Sequence, residues 1–541
     1  MTAYDVIIIG AGAGGGVAAG VLAEAGKRVL LIERGRDLSF EQVGRDHLRN
    51  QRLSQHGHDA GPDTVGNPRV FADGSGEHIV APHDPRYHAN AATVGSGTRV
   101  YGAQAWRFMP DDFRMASVYG VPKGSSLADW PITYDELAPY YERAEWEIGV
   151  CGDVNAMTHL PTYQKPYPMP PQPPHLQGQT LRAGLDTLGW QKLPVPLLIN
   201  SVAYNGRPAC IRCQHCVGFA CPVDAKNGTR NTMIARALAS GNCTLLTEAM
   251  VERLTVSDAG HITGAAYFKD GQRVEAQASV VIVSAGAIET ARLLLHSTSS
   301  AEPNGIGNDA DQVGRHLQGH YYPGAIGLLP EAVQDWVGPG ASTATCQFNH
   351  GNDGIIGGGM LADDFIVLPI IFWKRKLPPD LPKWGAANKA FMRDQYRRVC
   401  DVTGPVQEIP SPEARVTLST DVRDQHGLPV ARLSGTTHPE TVRTARFMHE
   451  RAREWLQAAG AVQIWGNQPG LYLSGGQHQA GTCRMGDDPQ TSVVDKWGRV
   501  HGHDNVFIAD GSVHVTNGGF NPVLTILALA FRTAEHIAQT W

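Results

Sequence analysis

Three glycines near the N-terminus, spaced Gly10-x-Gly12-x-x-Gly15, constrain this chain more than any other feature because of what flanks them. Ahead of them runs Asp5-Val-Ile-Ile-Ile-Gly10, a short β-branched stretch that reads as a buried strand. Behind them Val17 to Ala25 reads as a helix closed by Gly26, and Arg28-Val-Leu-Leu-Ile-Glu33 reads as a second strand. Strand, glycine turn, helix and strand in this order make the βαβ unit that holds a dinucleotide. In such a unit Gly10 permits the tight turn, Gly12 lets the backbone approach a pyrophosphate, and Gly15 lets the helix pack on the strand. The N–H groups at the helix start then face the phosphates. Glu33 ends the second strand, where a carboxylate accepts from a ribose 2′-hydroxyl and repels the 2′-phosphate of NADP. These residues leave NAD and FAD both open.

The rest of the chain has room to bury such a cofactor, because 541 residues exceed one core and suit about two to four units. With 42% hydrophobic and 18% charged residues the chain reads as globular, not disordered. A net charge of -6 without a long basic run gives no electrostatic reason to bind nucleic acid or an anionic membrane. The expected partner is a small molecule. Val6 to Ala25 lacks a basic leader and is dense in glycine, so it reads as neither signal peptide nor membrane span. Nine cysteines, four of them crowded between 210 and 221, are not a spread disulfide framework, so a cytoplasmic location is expected. The oligomeric state stays open, a homo-oligomer included.

Between Arg36 and Ala92 the pattern is polar and rich in histidine (His47, His56, His58, His78, His83, His88). None is paired at i, i+4 with a carboxylate as in a helical metal site, so residues 36–92 read as a solvated insertion able to serve as an active-site lid. Prolines crowd residues 161–174 and mark a linker or strap, placed at 156–199. Strand-like runs at Thr244–Val256 and Ala278–Ser284 and a helix at Ala287–Leu295 extend the nucleotide-binding sheet. Between His320 and Ser474 come β-rich runs at Phe365–Trp373 and Arg415–Ser419 and an amphipathic helix at Pro439–Ala459. Together they read as a second, α+β unit.

The last stretch says most about chemistry. It holds His478-Gln-Ala-Gly481-Thr482-Cys-Arg484-Met485-Gly486, then Val506-Phe-Ile-Ala-Asp510-Gly511-Ser512, then Asn521-Pro522-Val-Leu-Thr525-Ile. This closely resembles the C-terminal signature of the glucose-methanol-choline oxidoreductases. With the glycine fingerprint, Gly314-Arg-His-Leu317 and Ala285-Gly286-Ala-Ile-Glu289-Thr-Ala-Arg-Leu293-Leu294, the resemblance spans essentially the whole chain.

The resemblance implies FAD, with a Rossmann-like α/β FAD-binding domain and an α+β substrate-binding domain, the architecture also seen in p-hydroxybenzoate hydroxylase. The FAD domain is expected to be discontinuous, residues 1–155, 200–319 and 476–541, with 320–475 binding substrate. His478 falls on the family's catalytic histidine, and Asn521 on a second active-site position that is His or Asn in different members. Asp510 and Gly511 fall on the segment that returns to the pyrophosphate and ribityl chain, Pro522 is a further cofactor-binding position, and Val251 falls where backbone groups hold the adenine. The segment Val94-Gly95-Ser-Gly-Thr98-Arg-Val100-Tyr-Gly102 resembles the flavin-facing loop, nearest to pyranose oxidases and bacterial glycoside (C-glycoside) 3-oxidases. Some relatives link flavin through a histidine at or near the place of Val100. Valine has no nucleophilic nitrogen, so non-covalent FAD is expected.

Chemistry supports the pair independently. Taking hydride from a carbinol carbon leaves a protonated carbonyl unless the hydroxyl proton also leaves, which calls for a base within hydrogen-bond reach. Only His478 of the two titrates near neutrality, and Asn521 orients the oxygen. The expected reaction, by resemblance, is oxidation of a sugar or glycoside hydroxyl at C2 or C3, with O2 as acceptor and H2O2 as product. Trp106 and Trp373 are of a type that stacks on sugar rings, though such residues more often fill cores.

An alternative rests on Cys210-x-x-Cys213-x-x-Cys216-x-x-x-x-Cys221, which approaches an iron-sulfur ligand run but has one residue too many before its last cysteine. The chain would then be the flavin subunit of a dehydrogenase complex, passing electrons through a cluster to a cytochrome or quinone. Free or locally paired thiols are the bland reading. A third reading, a retained binding or lyase module, is opposed by the intact His478 and Asn521.

Overall fold

The computed structural model describes residues 3–43, 60–88, 90–161, 163–363, 368–476 and 478–541. Its first sheet is built on the fingerprint. Strand Ala3–Ile9 pairs in parallel with Val29–Ile32 on one side and Gln272–Val283 on the other, and Cys243–Leu246 extends the first edge. Isoleucines 7 and 8 are fully buried because helices cover both faces of the sheet, which is why these strands read as unbroken apolar runs. Helix Ala13–Glu24 crosses between the first two strands and packs against the last helix, Val523–Thr540.

Gln272–Val283 does double duty in this sheet. Its first half pairs antiparallel with Ile262–Lys269, which pairs in turn with Ala249–Val256, while Val281–Val283 takes Val506–Ile508 alongside in parallel. The predicted run Thr244–Val256 is therefore two strands, broken where Glu248 turns the backbone left-handed at φ 54°. The helix after the Gly286 turn spans Ala287–His296.

A second, six-stranded sheet runs Gln463–Trp465, Gly324–Leu328, Val399–Thr403, Leu361–Asp363, Thr343–Thr345 and Leu193–Pro194, all antiparallel. Helix Pro439–Ala458 packs on it through Val442, Ala445, Met448, Ala452 and Trp455, at spacings of three and four that make one apolar face. The Trp455 indole donates to the Leu181 carbonyl at 2.8 Å, tying in helix Leu176–Leu188. The architecture is an α/β nucleotide-binding layer joined to an α+β layer.

Three segments differ from their sequence reading. The strap at 156–199 contains helix Leu176–Leu188, which begins just beyond the proline cluster of 161–174, and strand Leu193–Pro194 of the second sheet. Of Phe365–Trp373, residues 365–367 lie outside the described residues, and the rest enters helix Pro369–Arg375, started by a proline at its first turn. In the 36–92 insertion, His47, His56 and His58 lie outside the described residues. Residues 69–80 there form a hairpin, Arg69–Asp73 with Gly76–Val80, whose first strand pairs in parallel with Pro429–Ser434. That strand and its partner Arg415–Arg423 lie against helix Ala287–His296. An excursion expected in solvent thus carries a structured clasp, with Arg69 buried and paired to Glu289 at 2.6 Å.

Candidate active site

The strand-turn-helix ends in one large cavity of about 850 Å³, near the top of the range of roughly 300 to 1,000 Å³ usual for small-molecule sites. Gly10, Gly12, Ala13 and Gly14 line its floor, with Glu33, Val251, Thr98, Val100, Asp510 and Gly511 around them. His478, Asn521 and Pro522 line it too, so residues predicted from opposite ends of the chain share one space. Gly15, Val94 and Gly95 stand behind this wall.

Protein geometry explains Gly10 and Gly15 but not Gly12. Gly10 sits at φ 102°, and a Cβ there would lie 2.3 Å from the Ser284 carbonyl oxygen. A Cβ on Gly15 would lie 1.9 Å from the Gly10 carbonyl oxygen, in the helix-on-strand contact. On Gly12 it would meet only the Ser96 side chain at 3.4 Å, an ordinary contact. Gly12 instead presents bare backbone to the cavity at the start of helix Ala13–Glu24. This cradle fits a dinucleotide pyrophosphate.

The carboxylates around it are organised by backbone amides. Glu33 is buried and accepts from Ala11 N at 2.9 Å and Gly35 N at 2.8 Å, which brace the fingerprint turn, while burial pushes its carboxyl up. Asp510 accepts from Gly286 N at 2.9 Å and Thr290 Oγ1 at 2.6 Å with one oxygen, and from Ser512 N at 2.9 Å with the other. It staples the C-terminal segment to the Gly286 turn. The segment 94–100 is fixed by hydrogen bonds as well: Gly95 N donates to the Ala11 carbonyl at 2.8 Å, and Thr98 Oγ1 to the Gly95 carbonyl at 2.6 Å.

At the other end His478, in left-handed backbone at φ 55°, forms the centre of a ring cluster. Its Nδ1 lies 2.9 Å from His320 Nδ1 and 3.2 Å from the Tyr322 hydroxyl. Asn521 Nδ2 donates to that hydroxyl at 3.1 Å, and its Oδ1 is buried with no protein partner. Asn521 does not cap its own helix, because Pro522 is the cap residue and makes no side-chain bond. Beneath the cluster Glu408 accepts from Gly319 N at 2.6 Å and Thr437 Oγ1 at 3.0 Å, and burial raises its pKa to about 7.

The sequence reading missed His320, Tyr322 and Glu408. The signal available was three successive ring residues, His320-Tyr-Tyr322, just after Gly314-Arg-His-Leu317. The two tryptophans singled out are elsewhere. Trp106 is buried, donating to Gln104 Oε1 at 2.7 Å, and Trp373 donates to the Lys383 carbonyl at 2.8 Å. Neither lines the cavity, whereas Trp465 does, with Asp401, Arg375 and Lys376. The cysteine stretch borders the cavity through Gln214, Cys216, Val217 and Gly218. Among the described residues no group of three or more His, Cys, Asp or Glu side chains is placed to hold a metal ion, Cys210, Cys213, Cys216 and Cys221 included.

Sequence models of the GMC oxidoreductase family match residues 91–322 and 410–530, and an FAD binding domain model matches residues 3–58. The 6'''-hydroxyparomomycin C oxidase of Streptomyces lividus is 32% identical over 99% of this chain and 91% of its own. The paromamine 6'-oxidase of Streptomyces fradiae is also 32% identical, over the same shares of the two chains. The fructose dehydrogenase large subunit of Gluconobacter japonicus is 30% identical over 98% of this chain and 97% of its own. Pyridoxine 4-oxidase from Mesorbium loti has a similar fold, with a TM-score of 0.66 at 18% identity over 99% of this chain and all of that one. Formate oxidase gives 0.67 at 15% identity over 99% and 98%.

Proposed function

This chain belongs to the GMC oxidoreductase family of FAD-dependent enzymes acting on CH–OH groups, and from that premise we propose that it oxidises a secondary hydroxyl of a sugar or glycoside, at C2 or C3, to a ketone. The observation that carries the reading is that His478 and Asn521 face the same cavity as the glycine fingerprint. Bound FAD supplies the hydride acceptor. His478 takes the hydroxyl proton, and Asn521 orients the oxygen and stabilises its developing charge. Gly10, Gly12 and Glu33 serve the pyrophosphate and ribose, Gly15 packs the helix that presents them, Val251 serves the adenine, Asp510 and Gly511 the returning segment with Pro522 beside them, and residues 94–100 the flavin side. The FAD is held without a covalent bond at Val100, and O2 takes the electrons to give H2O2. Sugar and aminoglycoside names among the relatives support the substrate class.

One observation favours a second reading, a dehydrogenase handing electrons to a partner: the Cys210–Cys221 stretch borders the cavity. Among the described residues those four thiols are not placed together to hold a metal ion. Anaerobic mixing of purified protein with a panel of sugars and glycosides, followed by air, tests both. Bleaching of the flavin band near roughly 450 nm with rapid return in air is the result for a sugar oxidase. Bleaching without return supports the dehydrogenase, and no bleaching by any sugar overturns the substrate class.

A further inference from the structure

We infer that His320 is a positioning residue that holds His478 in the tautomer whose Nε2 accepts the substrate proton. The inference rests on the reading of His478 as the base. It follows from the hydrogen bonds of a single buried ring. His320 Nε2 lies 2.9 Å from the Gly518 carbonyl oxygen and 3.1 Å from that of Asn517. Carbonyl oxygens only accept, so Nε2 carries a hydrogen. Burial keeps the ring neutral, pushing its pKa down to about 4 against the pull of those carbonyls and of Asp112.

A neutral imidazole protonated on Nε2 has a lone pair on Nδ1. His478 Nδ1, at 2.9 Å from it, must therefore be the donor. With Nδ1 carrying the hydrogen, the basic lone pair of His478 falls on Nε2. The Tyr322 hydroxyl oxygen, 3.2 Å from His478 Nδ1, is a second acceptor for that hydrogen, just as it accepts from Asn521 Nδ2.

The same short loop sets both rings. Asn517 Nδ2 donates to the His478 carbonyl at 2.7 Å and to the Gly319 carbonyl at 2.9 Å, while its own carbonyl receives His320. His478 is thereby kept at its unfavourable φ of 55°, and the backbone next to His320 is held from the other side by Glu408 through Gly319 N. When His478 gains a proton the Nδ1 bond to His320 becomes charge-assisted, roughly twice as strong as a neutral one. His320 thus stabilises the protonated base without meeting the substrate. Among the described residues, the titratable groups near this pair include Tyr322, His514, Asp112 and Glu408.

Two measurements on the holoenzyme test this. In the first, flavin reduction is followed anaerobically with D-glucose or with whichever panel sugar bleaches fastest. His320→Leu should retain FAD and lose about 10²-fold in reduction rate, within the range of a general-base contribution. His320→Asn, whose Oδ1 takes the place of Nδ1 as acceptor, should recover about tenfold of that. In a His478→Ala background His320→Leu should cost almost nothing further, because the two act as one unit. A wild-type rate in His320→Leu, failure of Asn to rescue, or an undiminished loss in the double variant overturns the inference. A wild-type rate in His478→Ala instead removes the base reading itself, so the two failures are told apart.

The second measurement needs no substrate and covers the case in which His320→Leu does not fold. Imidazole nitrogen spectra of ¹⁵N-histidine-labelled enzyme, with His478 assigned by its loss in His478→Ala, should show His478 protonated on Nδ1 and bare on Nε2 at neutral pH. The opposite tautomer in the wild type overturns the inference.

Discussion

Asn521 donates through Nδ2 to the Tyr322 hydroxyl at 3.1 Å, while its Oδ1 is buried without a protein partner. A buried acceptor left unsatisfied costs roughly 1 to 3 kcal/mol, and this one lines the cavity, where a bound ligand would satisfy it. Asn521→Ala should lower turnover by about 10² to 10³-fold and retain FAD, and Tyr322→Phe should lose less. Steady-state kinetics with the flavin content measured alongside decide this. Loss of FAD in Asn521→Ala would make the residue structural.

His478→Ala should lose about 10² to 10⁴-fold or more in turnover, the worth of a general base that also positions substrate. Its flavin absorbance should be unchanged. A variant that turns over like wild type would sink the base assignment.

The glycine fingerprint separates into a folding part and a binding part. Gly15→Ala places a methyl 1.9 Å from a backbone oxygen, so thermal melting should show destabilisation of about 1 to 3 kcal/mol, as for other overpacked sites. Gly12→Ala meets only the Ser96 side chain at 3.4 Å, so the apoprotein should melt near wild type while FAD affinity falls. Equal melting losses in both apoproteins would contradict this division.

Glu408 makes stability depend on pH. Burial raises its pKa to about 7 from the ordinary 4.5, so the native state binds a proton that the unfolded chain releases. Its contribution is full below about pH 4.5 and is lost as pH rises through 7, a loss of about 3 kcal/mol at 1.36 kcal/mol per unit. Denaturant titrations should show wild type falling relative to Glu408→Gln across that window and running parallel above it. A difference that does not change with pH would mean that Glu408 does not titrate there.

Acid precipitation should release the flavin into the supernatant, because Val100 offers no nitrogen to bond it. Flavin absorbance retained in the washed pellet would place a covalent link elsewhere on the cavity wall.

Much of this was legible because it depends on short-range patterns. The β-branched run before Gly10, the helix after Gly286 and the helix from Pro439 each carry their own periodicity or stop signal, and each lies within two residues of its reading at both ends, whereas helix Ala13–Glu24 starts four residues earlier than the Val17 read for it. The pair His478 and Asn521 was legible by resemblance.

What the chain alone determined is local: strand and helix periods, glycine turns, and residue types able to bind a nucleotide or take a proton. Tertiary structure decided the partnerships. Only in the fold does Arg69–Asp73 find Pro429–Ser434, more than three hundred residues away, and no local period encodes such a pairing. Only there do His320 and His478, separated by 158 positions, come within 2.9 Å. A histidine's tautomer is set by the hydrogen bonds its other nitrogen makes, and those come from packing across the chain.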